Sequence, residues 1–126
     1  MSRKTYNTKR ASVSGPYSHA VDAGDYVFLA GQTAKNVTGK EDKDLNIGEQ
    51  TKECFDSLFN VLKSANLSSD DVVKVNVFLT GMKHFSEMNK VYEEYFTEPY
   101  PARTCVAVLE LPLGADVEIE IIAKRS

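Results

Sequence analysis

The sequence predicts a single α+β domain spanning residues 1–126, a mixed β-sheet of about six strands with two helices on one face. Three observations carry that expectation. Runs of β-branched and aromatic residues alternate with polar ones over residues 17–31, 72–80 and 101–123. Two other segments, beginning near Asn46 and His84, repeat apolar residues at the spacing of one helix face. Neither a linker nor an internal repeat interrupts the 126 residues, a length that suits one domain and buries a core without staples.

In order along the chain, "KTYN" reads as a short first strand. "YSHAVDAGDYVFLAG" reads as two strands joined by a turn over residues 22–25, where Ala-Gly-Asp supplies the bend. "QTAKNVTGKEDKDLNIG" is polar and turn-rich, a loop. A helix then starts near Asn46, which with Glu49 three residues on forms a capping-box pattern, and Cys54, Phe55, Leu58, Leu62 and Ala65 recur as its apolar face. "SSDD" breaks the pattern before the strand "VVKVNVFLT". A second helix is predicted over about residues 84–97, with Phe85, Met88, Tyr92, Tyr95 and Phe96 as its stripe and Pro99 and Pro101 beyond its end. Two closing strands complete the order β-β-β-α-β-α-β-β.

Composition narrows the function classes. The net charge is −3 and the isoelectric point about 5.4, which argues against a nucleic-acid surface built from overall charge. Cys54 and Cys105 lie far apart and fit neither a disulfide framework nor a Cys-x-x-Cys metal site, which points to a reducing, cytoplasmic setting. The first 21 residues hold four Lys/Arg and no acid, a faint likeness to a mitochondrial presequence, without its amphipathic helical pattern. No apolar run reaches the roughly 18 residues of a membrane helix.

Side chains alternate across a strand, so parity sorts them onto faces. Val27 and Leu29 oppose Tyr26, Phe28 and Ala30; Val73, Val75, Val77 and Leu79 oppose Lys74, Asn76, Phe78 and Thr80. Thr104, Val106 and Val108 oppose Arg103, Cys105, Ala107 and Leu109; Val117, Ile119, Ile121 and Ala123 oppose Asp116, Glu118, Glu120 and Ile122. The first set of each pair is expected to meet the helices. The second set is too apolar for water and too charged for a core, and a second copy of the chain is expected to cover it.

Within that mixed set lie the candidate chemical groups. Arg103 suits either a structural pairing with Glu118 or Glu120, or a bidentate grip on a carboxylate or phosphate. Glu118 and Glu120 are like charges on one face, so that one could keep its proton for acid–base work, or each could simply pair with Lys74 or Arg103. Cys105 suits an inert buried thiol, since no histidine is near it in sequence, or a nucleophile whose base is supplied in space by His19 or His84. His19 and His84 read as surface or helix-start residues without metal-ligand spacing. Tyr17, after the Gly15-Pro16 turn, suits packing or a pocket wall, and Asn89 suits a solvated helix position. Phosphate-loop, dinucleotide and serine-hydrolase motifs are absent.

The stretches "GPYSHAV", "LAGQ", "VVKVNVFLTGMKHFSEMN", "YPARTCV" and "LPLGADVEIEIIA" together resemble the RidA/YjgF family of enamine/imine deaminases over about residues 4–124. The resemblance implies a chorismate-mutase-like fold with the final strand between the third and fourth, and a homotrimer with active sites in the clefts between subunits. It implies that Arg103 binds the substrate carboxylate, that Cys105 lines the pocket without acting as a nucleophile, and that Glu118 positions water or shuttles a proton. Tyr17 then stands at the pocket wall, Asn89 matches the asparagine of the second helix, and Glu120 is the structural member of the pair. Two features depart from the pattern: Ala30 stands where many relatives carry serine, and residues 98–100 form a short approach to Pro101.

The implied activity is hydrolysis of reactive 2-aminoacrylate-type enamines and their imines, released by pyridoxal-phosphate dehydratases, to a 2-keto acid and ammonia. It needs neither metal nor organic cofactor. The alternatives are a non-catalytic sensor of small carboxylates, an endoribonuclease or translation inhibitor, and a purely structural trimer or chaperone.

Overall fold

In the computed structural model, residues 2–9, 15–34 and 45–126 are described; most of the loop expected between the third strand and the first helix lies outside them. The strands are β1 (Lys4–Tyr6), β2 (Ala20–Asp22), β3 (Tyr26–Gln32), β4 (Val72–Leu79), β5 (Ala102–Ala107) and β6 (Val117–Lys124). The helices are α1 (Ile47–Ser64) and α2 (Phe85–Tyr95). All six strands join one sheet in the order β1-β2-β3-β6-β4-β5. The last strand therefore lies between β3 and β4, antiparallel to both, and only β4 and β5 run parallel.

The capping box at Asn46 is made in both directions. Glu49 N donates to Asn46 Oδ1 at 2.8 Å and Asn46 N donates to Glu49 Oε1 at 3.0 Å, so two otherwise orphaned amides are satisfied. From that start α1 turns Cys54, Phe55, Leu58, Leu62 and Ala65 into the core, each at most 1% exposed. Phe55 is the hub where the helices meet. Its ring lies 4.9 Å from that of Tyr95 and 5.6 Å from those of Tyr92 and Phe96.

The second helix is shorter than its apolar stripe. Phe96 keeps its place in the core but has extended backbone (φ −130°, ψ 148°), so the chain leaves α2 before Thr97. Pro99 lies three residues beyond the exit and keeps the helix from continuing, since proline has no N–H to donate and clashes with the preceding turn.

Register overturns two of the predicted faces. Val73 is 38% exposed while Val72 is buried, because the pairing of β4 with β6 shifts between Val72 and Lys74 and flips the parity there. The larger correction concerns β5. Val75 pairs with Arg103 and Val77 with Cys105, and both valines are fully buried on the helix side. Directly paired residues share a face, so Arg103 and Cys105 lie under α2. Thr104 and Val106 take the open face beside Asn76 and Phe78, and Val106 is 41% exposed. Aliphatic character misled here because β5 is an edge strand, whose orientation follows its hydrogen-bond register with β4.

His19 is also misplaced by sequence reasoning. It is 1% exposed, with Nδ1 accepting from Thr8 N at 3.0 Å. His84 does stand at the start of α2, in the N-cap position, though its side chain makes no capping hydrogen bond. At the far end of the sheet Arg125 ties the chain together. Its Nη2 lies 2.7 Å from Asp22 Oδ2 and its Nη1 donates to the Ala65 carbonyl at 2.9 Å, and this partner holds the Asp22 carboxyl below its usual range.

Candidate functional site

The chemical residues fall into two groups on opposite faces of the sheet. On the helix side, β5 presents Arg103 beneath α2. Arg103 Nη1 donates to Asn89 Oδ1 at 2.6 Å. The guanidinium carbon sits 4.7 Å from the Tyr92 ring centre and 5.5 Å from that of Phe85. Phe85, Asn89 and Tyr92 are four and three residues apart, which places them along one side of α2. A cavity of about 340 Å³ opens here, walled by Asn89, Tyr92, Glu93, Tyr100, Pro101 and Arg103. A fixed guanidinium with unused N–H donors facing such a cavity has the chemistry to hold an anion.

Cys105 follows two residues later on the same side, half-buried and packed against the core, and both cysteines are free thiols. Burial pushes its thiol up, an effect that the nearby Arg103 charge only partly opposes. Cys105 is therefore a protonated thiol at neutral pH, poorly suited to nucleophilic attack, and it packs on the core beside the Arg103 cavity without being one of the residues that wall it.

On the open face, β6 presents Glu118 and Glu120. Glu120 Oε1 accepts from Asn76 Nδ2 at 3.1 Å, the register partner on β4, which fits a structural role. Lys74 donates instead to Thr104 Oγ1 at 2.9 Å. Glu118 is half-buried, and burial first, then the Glu120 charge, raises its carboxyl above the ordinary range. It shares a cavity of about 210 Å³ with Tyr17, Ala30, Gly31, Thr33, Pro112 and Leu113. A longer groove of about 610 Å³ continues past Tyr17 and Ala30 to Phe28 and Arg3.

Backbone irregularities shape this second cavity. The pairing of β3 with β6 shifts between Leu29 and Gln32, so Ala30 and Gly31 bulge opposite Glu120. A methyl group on Gly31 would sit 3.0 Å from Glu118 Cδ and 3.2 Å from its Oε2. The glycine is what lets the carboxyl lie over β3. Across the cavity Leu113 has left-handed backbone (φ 62°), uncommon for a leucine and placed at the rim of a cavity that holds an ionisable group. Gly31→Ala is expected to displace the Glu118 carboxyl and lower any Glu118-dependent turnover about tenfold. The fold should persist, so steady-state rates and a thermal melt of the same variant check the outcome together.

The structure thus brings Arg103 together with Asn89, and Tyr17 together with Glu118, but a single chain does not bring the two groups together. Sequence reasoning missed Gly31 and Leu113, and it read Phe85 and Tyr92 only as core. The signal for Gly31 was a glycine inside a strand pattern, a mark of a bulge or close approach. Among the described residues no cluster of His, Cys, Asp and Glu could hold a metal ion, and no helix is long and apolar enough to cross a membrane.

Comparison with known proteins follows the same outline. The family described as Endoribonuclease L-PSP matches residues 7–125. Protein HMF1 of Saccharomyces cerevisiae is 42% identical over 112 residues, covering 89% of this chain and 86% of that protein. The crystal structure of the YjgF gene product of E. coli aligns with a TM-score of 0.89 at 34% identity, covering 98% of this chain and 99% of that one. The E. coli TdcF structure, solved with bound serine, aligns with a TM-score of 0.90 at 36% identity, covering 98% of this chain and all of that one.

Proposed function

We propose, from the premise that this chain belongs to the RidA/YjgF family, whose matching description is Endoribonuclease L-PSP, that it is an enamine/imine deaminase. It would hydrolyse 2-aminoacrylate-type enamines and their 2-imino acid tautomers to a 2-keto acid and ammonia. The observation that carries this reading is the Arg103 site: a guanidinium fixed by Asn89 and an aromatic ring beside an open cavity. Its fork matches a carboxylate edge, and the relative solved with serine binds an amino acid that carries one.

The imine carbon is already electrophilic, so the protein has two tasks. Arg103 holds the carboxylate and so aligns the C=N group. Glu118 accepts a proton from water as the new C–O bond forms on the protonated imine, and returns it to the nitrogen of the carbinolamine. It then takes the hydroxyl proton as C=O forms and the C–N bond breaks, and that proton leaves with ammonia as ammonium. A carboxyl with a raised pKa suits that exchange near neutral pH. None of these steps calls for a cofactor.

Because Arg103 and Glu118 lie on opposite faces, the reading requires a second copy of the chain. The open face supports it: Tyr26 is 43% exposed, Phe28 47% and Val106 41%, a distribution that favours association. We assign a homotrimer in which the Arg103 cavity of one subunit meets the Glu118 cavity of the next. The RNA-directed reading attached to the family description meets a net charge of −3.

Mixing two dead variants tests the arrangement. Arg103→Ala and Glu118→Gln subunits, each inactive alone, are unfolded and refolded together. One junction in about four then combines an intact Arg103 with an intact Glu118, so about a quarter of wild-type activity should return. Keto-acid release from an imine generated in situ by a serine or threonine dehydratase reports it. No recovery in correctly assembled mixtures rejects the shared site, and an inactive wild type rejects the deaminase.

A further inference from the structure

Arg103 does not hold itself in place. It lies on an edge strand, where a long flexible side chain would ordinarily sample several rotamers, and its hydrogen bond to Asn89 restrains only one nitrogen. The second restraint is the ring of Tyr92. That ring is 5% exposed and is itself fixed from the core, 5.6 Å from Phe55 and 5.0 Å from Phe96. Tyr92 therefore links the buried aromatic core to the candidate anion-binding group.

The tyrosine hydroxyl adds a second clue. It is buried without a hydrogen-bond partner, an arrangement that costs stability and that a phenylalanine would avoid. The contact that matters to Arg103 is the ring face, which phenylalanine keeps. Deleting the hydroxyl and deleting the ring are thus separable experiments.

We propose that Tyr92 is the positioning residue of the Arg103 site, its clamped ring holding the guanidinium so that the fork meets a planar carboxylate already aligned. The inference rests on the reading of Arg103 as the carboxylate anchor and adds the residue that preorganises it. Lysine at position 103 would lose both the fork and this planar contact. A rigid anchor matters for a small substrate, which has few other atoms by which to be oriented.

The test is equilibrium binding of 2-oxobutanoate, a probe that reads the anchor without turnover, to the assembled wild type and to Tyr92→Phe, Tyr92→Leu and Arg103→Ala. Tyr92→Phe is expected to bind within about twofold of wild type and to melt at a temperature no lower. Tyr92→Leu, measured below its own melting temperature, is expected to weaken binding about tenfold, the size of a desolvated cation–π contact. Placed in the Arg103→Ala background, Tyr92→Leu should weaken binding no further.

Binding that needs Arg103 but ignores Tyr92→Leu overturns this inference alone. So does an equal loss from Tyr92→Phe, which would move the role to the hydroxyl, or a loss that persists without Arg103, which would make it a packing effect. Binding indifferent to Arg103→Ala, or absent from the wild type, removes the carboxylate reading and this inference with it.

Discussion

Arg103→Ala is expected to lower kcat/KM for a 2-imino acid about a thousandfold. The carboxylate would lose two charge-assisted hydrogen bonds of about 1.5–3 kcal/mol each, and about 4 kcal/mol corresponds to three powers of ten. Arg103→Lys should recover only a small part. An ammonium can reach toward Asn89 Oδ1, which lies 2.6 Å from the native guanidinium, yet it cannot present a planar fork. The loss should fall mainly on KM for substrates with a larger side chain and on both constants for the smallest, where orientation depends wholly on the carboxylate. Steady-state rates with in situ imine measure it. A variant with wild-type kcat/KM would show that Arg103 is only a structural partner of α2.

Glu118→Gln is expected to lower kcat about a hundred- to ten-thousandfold with little change in KM, because proton transfer is lost while the carboxylate anchor on the other sheet face stays intact. The pH profile should carry the same residue's mark. Activity needs the ionised carboxylate, so the rate falls as pH drops through a value above the ordinary 4.5, raised by burial and then by Glu120. Glu120→Gln removes the second cause, so the acid limb should move to lower pH. Asn76 can still donate to the new amide oxygen, which keeps the local bond.

Stability should respond in the opposite direction. A carboxyl whose folded pKa is raised favours the folded state most below its unfolded pKa, and that advantage is lost as pH rises through the folded value. Glu118→Gln should therefore melt higher than wild type at neutral pH, and the gap should close on acidification below about 4.5. A variant that is less active and more stable is what a group retained for chemistry produces. If Glu118→Gln is fully active, or if the gap has the other sign, Glu118 is not the proton carrier.

Local chemistry made much of the fold legible. The capping box at Asn46, the helical spacing of Cys54, Phe55, Leu58 and Leu62, and the turn before Tyr26 are short-range features that few alternatives can satisfy. The glycine of "LAGQ" was passed over, and even as a glycine inside a strand pattern it would not have told what approaches it. Only folding places Glu118 Cδ against Gly31, because the two residues lie in strands far apart in the chain and meet through the β3–β6 register. Tyr92 looked like core because it is core; its second contact, with Arg103, crosses from α2 to β5.

Taken alone, the sequence determined the element order, the two covering helices, the family and the identities of Arg103 and Glu118 as candidate groups. Tertiary structure decided which side of the sheet each one occupies. Parity along a single strand sorts residues into two sets but cannot say which set faces the helices when the strand lies at an edge. The parallel pairing of Val75 with Arg103 answers that for β5, and the antiparallel pairing of Phe78 with Glu118 answers it for β6. Those registers are long-range hydrogen-bond choices, made when the whole sheet assembles, and they set the two candidate groups back to back.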